Sequence, residues 1–259
     1  MTTSSTTLGL VLRATPHRES DLVLSLLTET HGRIAALARG ARASRRRFAG
    51  ALGFAVLGRY DLRSPRGELW TLERAEVERD WPALASDLAA FAHAGYALEL
   101  VSAVAPAEHA DVGLFQLVVE TFERLATVGA TSAGLRGFEL ELLDRAGSAP
   151  LLDECAGCGT LALDGAMFAP ARGGVVCRAC AATSRGSVRP IAPATLAYLA
   201  QVLTRTDHAV LDAATPAAVR SDARDALAGF VVQTIGRELR SIGSALGILQ
   251  AAPATYLAE

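Results

Sequence analysis

The chain has 259 residues, 51% of them hydrophobic and 20% charged, which is enough apolar side chain to offset the ordering entropy of a core and excludes bulk disorder. All 25 basic residues are arginine, so chemistry that needs a phosphate-loop or Schiff-base lysine is excluded as well. The formal net charge of −2 hides a polarity: residues 1–79 hold 13 arginines against 8 acids, residues 80–154 hold 3 against 12, and residues 155–259 hold 9 against 7.

The first twelve residues, MTTSSTTLGLVL, have no basic run ahead of the apolar stretch and do not read as a secretory signal. The longest apolar region, Leu88 to Ala107, is interrupted by His93, Glu99 and Pro106, so no membrane span is expected and the cytoplasm is the expected compartment. Short strands are predicted at Leu8 to Arg13, Asp21 to Thr28 and Arg33 to Arg39, with Gly32 in the turn between the second and third. From Phe54 to Arg63 the residues alternate, with Phe54, Val56, Gly58, Tyr60 and Leu62 on one face. Ser64-Pro65-Arg66-Gly67 predicts a turn into a fifth strand, Leu69 to Glu78. Five strands in about eighty residues predict a small antiparallel barrel of the OB type.

Between strands three and four lies Arg39 to Gly50, RGARASRRRFAG, with five arginines in twelve residues. From Gly32 to Arg66 there are nine arginines and one acid, Asp61. Such a run is either a solvated surface or a phosphate grip, since a guanidinium meets two phosphate oxygens at once and releases counterions. Small residues predict a flexible loop, and Phe48, Phe54 and Tyr60 are expected nearby for base stacking. The DNA-binding set expected from this reading is Arg33, Arg39, Arg42, Arg45, Arg46, Arg47 and Arg59. Nothing resembles a base-reading helix, so binding is expected to be indifferent to sequence.

Beyond the barrel, Asp80 is the expected cap and Pro82 the first turn of a helix over 82–104, followed by helices over 112–128 and 132–146 with a stop at Gly147. Leu114, Leu117, Val118 and Leu125 share one face and are expected in the core. Residues 182–193 read as a connector, and helices return from Pro193 to Leu249.

All four cysteines fall in one window, Cys155-x-x-Cys158 and Cys177-x-x-Cys180. Two such knuckles supply four thiolates to one tetrahedral ion, expected to be a structural Zn2+, with MFAPARGGVVC as a ribbon hairpin between them. Disulfides are the competing reading, disfavoured for a cytosolic chain. His17-Arg18-Glu19 superficially matches the His-x-Glu of zinc deaminases, but four cysteines leave no open position for catalysis. No Gly-x-Ser-x-Gly or Gly-x-Gly-x-x-Gly occurs. The chain is not expected to be an enzyme.

Taken in order, Leu8-Gly-Leu-Val-Leu-Arg13, Glu19-Ser20-Asp21, Leu26-Leu27-Thr28-Glu29-x-His31-Gly32-Arg33, Ala38-Arg39-Gly40-Ala41-Arg42, Gly67-Glu68-Leu69, Phe138-Glu139-Leu140, and Phe168-x-Pro170 with Gly173-Gly174-Val175 between the cysteine pairs resemble the RecO family of bacterial recombination mediators. The likeness covers most of the chain and loosens after residue 190, where it rests mainly on Arg240-Ser241.

The resemblance implies an α+β protein with four parts. These are an N-terminal OB-fold barrel over residues 1–80, a helical body over 81–154, an inserted zinc-ribbon-like module over 155–182, and C-terminal helices over 183–259 packing on the body. It implies binding of single- and double-stranded DNA, annealing, a partner RecR, the tail of single-strand binding protein, and indirectly RecA. That acidic tail ends in phenylalanine and would need an arginine beside an apolar pocket, for which Arg136 with Phe138 and Leu142 is the first candidate and Arg145 the second. Arg136 could equally be a solvated helix residue. The alternative of another class is a zinc-ribbon RNA-binding or interaction protein of the transcription or translation machinery.

Overall fold

Alternation of buried and open side chains builds five strands in the first third, β1 (Ser4–His17), β2 (Asp21–Thr28), β3 (Gly32–Ala38), β4 (Val56–Arg63) and β5 (Trp70–Asp80), over the pull of helix formers in β3 and β5. The computed structural model describes residues 4–44, 46–64, 67, 69–239 and 241. Pro65, Arg66, Glu68 and Arg240, and with them the middle of the turn expected at 64–67, lie outside these, as does the helix expected beyond residue 241.

The strands close into a barrel of order β1-β2-β3-β5-β4. Four of the five ladders are antiparallel, and the closing one, Ala36 to Ala38 of β3 against Trp70 to Leu72 of β5, is parallel. Val11, Leu24, Leu26, Ile34, Ala36, Ala38, Tyr60, Leu62, Leu72 and Ala75 fill the interior. Tyr60 is accommodated by two glycines that face each other across β1 and β4, Gly9 and Gly58. A Cβ on either would stand under 3.0 Å from the Tyr60 ring, so no larger residue fits.

The alternation expected from Phe54 onward holds from Gly58, where Gly58, Tyr60 and Leu62 are buried and Arg59, Asp61 and Arg63 are not; it fails at Phe54, which is exposed ahead of a strand that begins only at Val56. The β4·β5 ladder slips between Leu57 and Gly58, and Leu57 is buried outside the barrel's interior cluster.

Helices follow as α1 (Pro82–Ser86), α2 (Leu88–Val104) and α3 (Val112–Thr127). The single helix expected over 82–104 is broken at Asp87, whose extended backbone ends α1 and whose carboxylate accepts the Ala90 N–H at 2.8 Å to cap α2. Asp80 instead ends β5, and Trp81 precedes Pro82 at the start of α1. Leu114, Leu117, Val118 and Leu125 of α3 are buried as expected. The barrel and α1 to α3 form one compact unit, residues 1–127.

The second unit, residues 128–259, begins with α4 (Ser132–Arg145), capped by the Thr131 hydroxyl. A three-stranded sheet of order β7-β6-β8 follows, made of β6 (Met167–Ala169), β7 (Gly174–Val176) and β8 (Arg189–Pro190), with a short α5 (Arg178–Ala181) between β7 and β8. The hairpin expected between the cysteine pairs is thus present, and the stretch expected to be a plain connector supplies its third strand. Then α6 (Pro193–Thr204), α7 (His208–Ala214) and α8 (Ala217–Ile235) pack with α4 around Ala133, Leu140, Tyr198, Leu199, Val202, Leu211, Ala223 and Leu227. This unit and the barrel make the protein α+β. Among the described residues, no helix is long and apolar enough to cross a membrane.

Candidate nucleic-acid interface and metal centre

The arginine-rich connection leaves β3 at Arg39 and re-enters the sheet at Val56, and it is pinned at several points rather than free. Asp21 accepts the Gly40 N–H at 2.7 Å, and the Arg47 carbonyl accepts the Ala75 N–H of β5 at 2.8 Å. Phe48 is 3% exposed and Ala51 is fully buried; both are part of the barrel core. The Tyr60 hydroxyl donates to the Ala51 carbonyl at 2.9 Å. The flexible loop expected from the small residues is therefore an anchored one, held by an aromatic plug.

Anchoring the backbone leaves the cations outside. Arg39, Arg42, Arg46 and Arg47 are exposed, and none of them pairs with a carboxylate among the described residues. Arg42 and Arg47 donate to the carbonyls of Glu19 and Arg39, at 3.2 and 2.6 Å, and the Arg47 guanidinium lies 5.0 Å over the Phe48 ring. Arg45 lies outside the described residues. A row of arginines without acidic partners on a fixed backbone carries a positive potential whose charge is not internally neutralised.

The other arginines of the expected set sit differently. Arg33 is half-buried and donates to the Ala105 carbonyl at 2.8 Å. With Arg13, Thr15, Ser25 and Glu108 it lines a groove of 290 Å³ on the β1, β2 and β3 face; Arg13 was not singled out from the sequence, where it is only the polar end of an apolar strand. Arg59 is committed to Glu78 at 2.6 Å on the neighbouring strand.

The stacking residues need correction. Phe48 and Tyr60, at 3% and 0% exposure, are inside the barrel and offer no face to a base. Phe54 is open, and a second aromatic that the sequence reading passed over, Phe91 of α2, is open beside it. Phe91 was missed because α2 is apolar all round and its pattern does not distinguish the outer face.

The pocket expected on the helical body also needs correction. Arg136, Phe138 and Leu142 are each at most 3% exposed, so they are core residues of the second unit and no open surface. Arg136 pairs with Glu139 at 2.9 Å and donates to the Arg224 carbonyl at 3.4 Å. Charges taken from water must be paired in this way, and loss of either partner would leave the other buried alone. Arg145 is at the surface, paired with Glu141 at 3.1 Å.

The four cysteines come together. Their Sγ atoms all lie within 4.8 Å of one another, with Cys158 and Cys177 at 3.9 Å. A disulfide needs about 2.05 Å, whereas thiolates at about 2.3 Å around a tetrahedral ion stand about 3.8 Å apart. The β6–β7 hairpin sets the second knuckle, since Cys177 directly follows β7. Gly157 makes room for the first: a Cβ there would meet the Cys180 Sγ at 2.9 Å. The Cys155 Sγ accepts N–H groups from Cys177 and Gly157 at 3.3 and 3.4 Å.

Chiefly because of the Cys177 N–H, the Cys155 thiol is brought down to about 6. The Cys180 thiol is pushed up to about 12, chiefly by its hydrogen bond with the Cys177 side chain. One thiolate forms readily and the next is resisted, which is the state of a donor set that needs a cation before all its members ionise. Four soft thiol donors in a closed cluster fit a metal ion and leave no donor position for a substrate.

The fold and site define a class of α+β protein in which a closed five-strand barrel presents arginines without carboxylate partners among the described residues, and a helical unit carries a four-cysteine centre. Comparison with known proteins makes the assignment particular. The family models described as Recombination protein O N terminal and Recombination protein O C terminal match residues 1–80 and 85–242. The chain is 39% identical over 234 residues to the DNA repair protein RecO of Anaeromyxobacter sp. (strain Fw109-5), covering 89% of this chain and 91% of that one. It is 34% identical over 235 residues to the DNA repair protein RecO of Myxococcus xanthus (strain DK1622), covering 90% and 93%. The chain belongs to the RecO family.

Proposed function

We propose that this chain is a non-catalytic DNA repair mediator that binds single- and double-stranded DNA, anneals complementary strands and, with RecR, helps load RecA onto strands coated by single-strand binding protein. The observation that carries the reading is the anchored connection of the barrel with Arg39, Arg42, Arg46 and Arg47 exposed and without carboxylate partners. Arg45 belongs to the same run by sequence, and Arg33 and Arg13 would extend the contact along the adjacent groove. Arg59, tied to Glu78, is the least available of the set. Phosphate contacts of this kind are independent of sequence, which suits a protein that must act on any broken region.

Cys155, Cys158, Cys177 and Cys180 would hold one Zn2+. When bound, the ion neutralises the thiolates and cross-links the two knuckles; the role is structural because four protein donors complete its coordination. The residue in this reading left to meet the acidic tail of single-strand binding protein is Arg145, which would have to exchange its exposed bond to Glu141 for the tail carboxylate. In this reading the chain divides functionally at residues 80, 154 and 182, whereas its two compact units part between residues 127 and 128, within the 81–154 piece. It would work in the cytoplasm, on the nucleoid during repair.

The test is annealing of two complementary labelled strands, followed by energy transfer, with and without protein. Acceleration at stoichiometric protein, with no nucleotide consumed, is the expected result. Absence of both binding and acceleration, or a preference for folded RNA over plain single strands, would overturn the reading.

A further inference from the structure

Phe54 and Phe91 are 38% and 45% exposed, with ring centroids 4.5 Å apart and planes inclined by 40°. The Phe54 ring lies over α2 at Gly95, where a Cβ would stand 4.0 Å from its Cε2. One helical turn before Phe91, Leu88 is 67% exposed. Burial would stabilise both rings, so an open aromatic pair is a cost the fold carries at this place.

The backbone actively turns Phe54 outward. Ala55 has φ +52°, in the left-handed region that disfavours an alanine, and it is Ala55, 4% exposed, that is buried. The strand begins at the next residue, Val56, and Gly58, Tyr60 and Leu62 carry its buried face.

What surrounds the pair says which occupant fits. Phe54 belongs to the same connection as the arginines, four residues beyond Gly50, where the loop meets Val77 of β5. Three of the four acids of β5 are taken up by an arginine: Glu73 by Arg63, Glu76 by Arg74 and Glu78 by Arg59. Asp80, at the end of the strand, is the remaining acid, and the four exposed arginines of the loop outweigh it. A single strand presents phosphates and open base faces together, whereas a duplex hides the base faces in its stack.

We propose that Phe54 and Phe91 form a base-stacking platform for single-stranded nucleic acid whose phosphates are held by the adjoining arginine loop. The proposal rests on the nucleic-acid reading above and adds the source of a single-strand preference. Stacking tolerates any base, so the platform adds affinity without adding sequence specificity.

The experiment compares an oligo-dT strand with an abasic strand of the same length at fixed salt, for the wild type, Phe54→Leu and Phe91→Leu. Leucine keeps an apolar side chain at these half-open positions, and thermal melting checks the fold of each variant. The expected result is a preference of about tenfold for oligo-dT in the wild type. That preference should be lost in Phe91→Leu, with abasic binding and the salt slope unchanged. A Phe91→Trp reporter should be quenched by oligo-dT and not by the abasic strand. Equal wild-type affinity for the two strands, or variants that keep the preference, would overturn the platform while leaving the phosphate grip standing, and would point to a protein partner for the two rings. Binding to neither strand at low salt would remove the nucleic-acid reading and the platform together.

Discussion

The barrel and the cysteine module reach order by opposite routes. The barrel closes five strands around a dozen buried side chains and uses Phe48 of its own long connection as a plug. The module has strands of three, three and two residues and a small cluster of buried residues, Cys155, Ala169 and Val176. Strands that short bury little by themselves, so in the reading proposed above an ion held by the four cysteines would supply the cross-link. The comparison teaches where each part is vulnerable: the barrel to loss of packing, the module to loss of its ligand.

Removing a thiol should therefore have the largest effect. Cys155→Ser, or chelation, is expected to release the metal and lower the melting temperature by about 5 °C or more, while the affinity for DNA at low temperature changes little. Metal content by atomic spectroscopy and a thermal scan check this; retained metal with unchanged melting would break the contrast between the two regions.

Next is the plug. Phe48→Ala should cost about 3 kcal/mol in denaturant unfolding of the first unit, from lost transfer energy and the cavity left behind. It should also weaken DNA binding although it removes no charge, because the arginines lose their anchored backbone. A variant that unfolds as expected but binds DNA as before would show that the loop needs no fixed shape.

The smallest effect concerns pH. His31 is hydrogen-bonded through Nε2 to the Ser5 hydroxyl at 2.8 Å and packs on Trp70, and burial holds its pKa below the ordinary 6.5. A depressed value in the folded state means that the neutral form is favoured. The associated stability is present above 6.5 and lost as pH falls through the folded value. A His31→Gln variant should flatten the stability profile on the acid side; an identical profile would remove His31 as a contributor.

The sequence carried the architecture well because each part has a local signature. Alternation marked the strands, apolar periodicity marked α3, and paired cysteines at ribbon spacing marked the four-cysteine cluster. It was less informative where two local rules compete. The run from Phe54 alternates, yet a positive φ at Ala55 precedes the strand and leaves Phe54 exposed and Ala55 buried, and an alanine there has no distinctive signature. The break at Asp87 is visible only as an aspartate inside an apolar stretch, which fits a cap as readily as a solvated turn. Arg136 read as a surface cation because its burial depends on Glu139 and on Arg224 of α8, a partner far away in sequence. Long-range pairing of this kind has no local signature.

The central claim is that the exposed arginines of the anchored loop grip phosphate. Its most direct test is anisotropy of a labelled single-stranded oligonucleotide over a series of salt concentrations, for the wild type and for Arg42→Ala/Arg46→Ala, which leaves Phe48 and the loop anchors in place. Each phosphate contact contributes about 0.7 to the slope of log K against log salt, so the account predicts a shallower slope by about 1.4 in the double variant. An unchanged slope with unchanged affinity would contradict it and take the loop out of the path of the DNA.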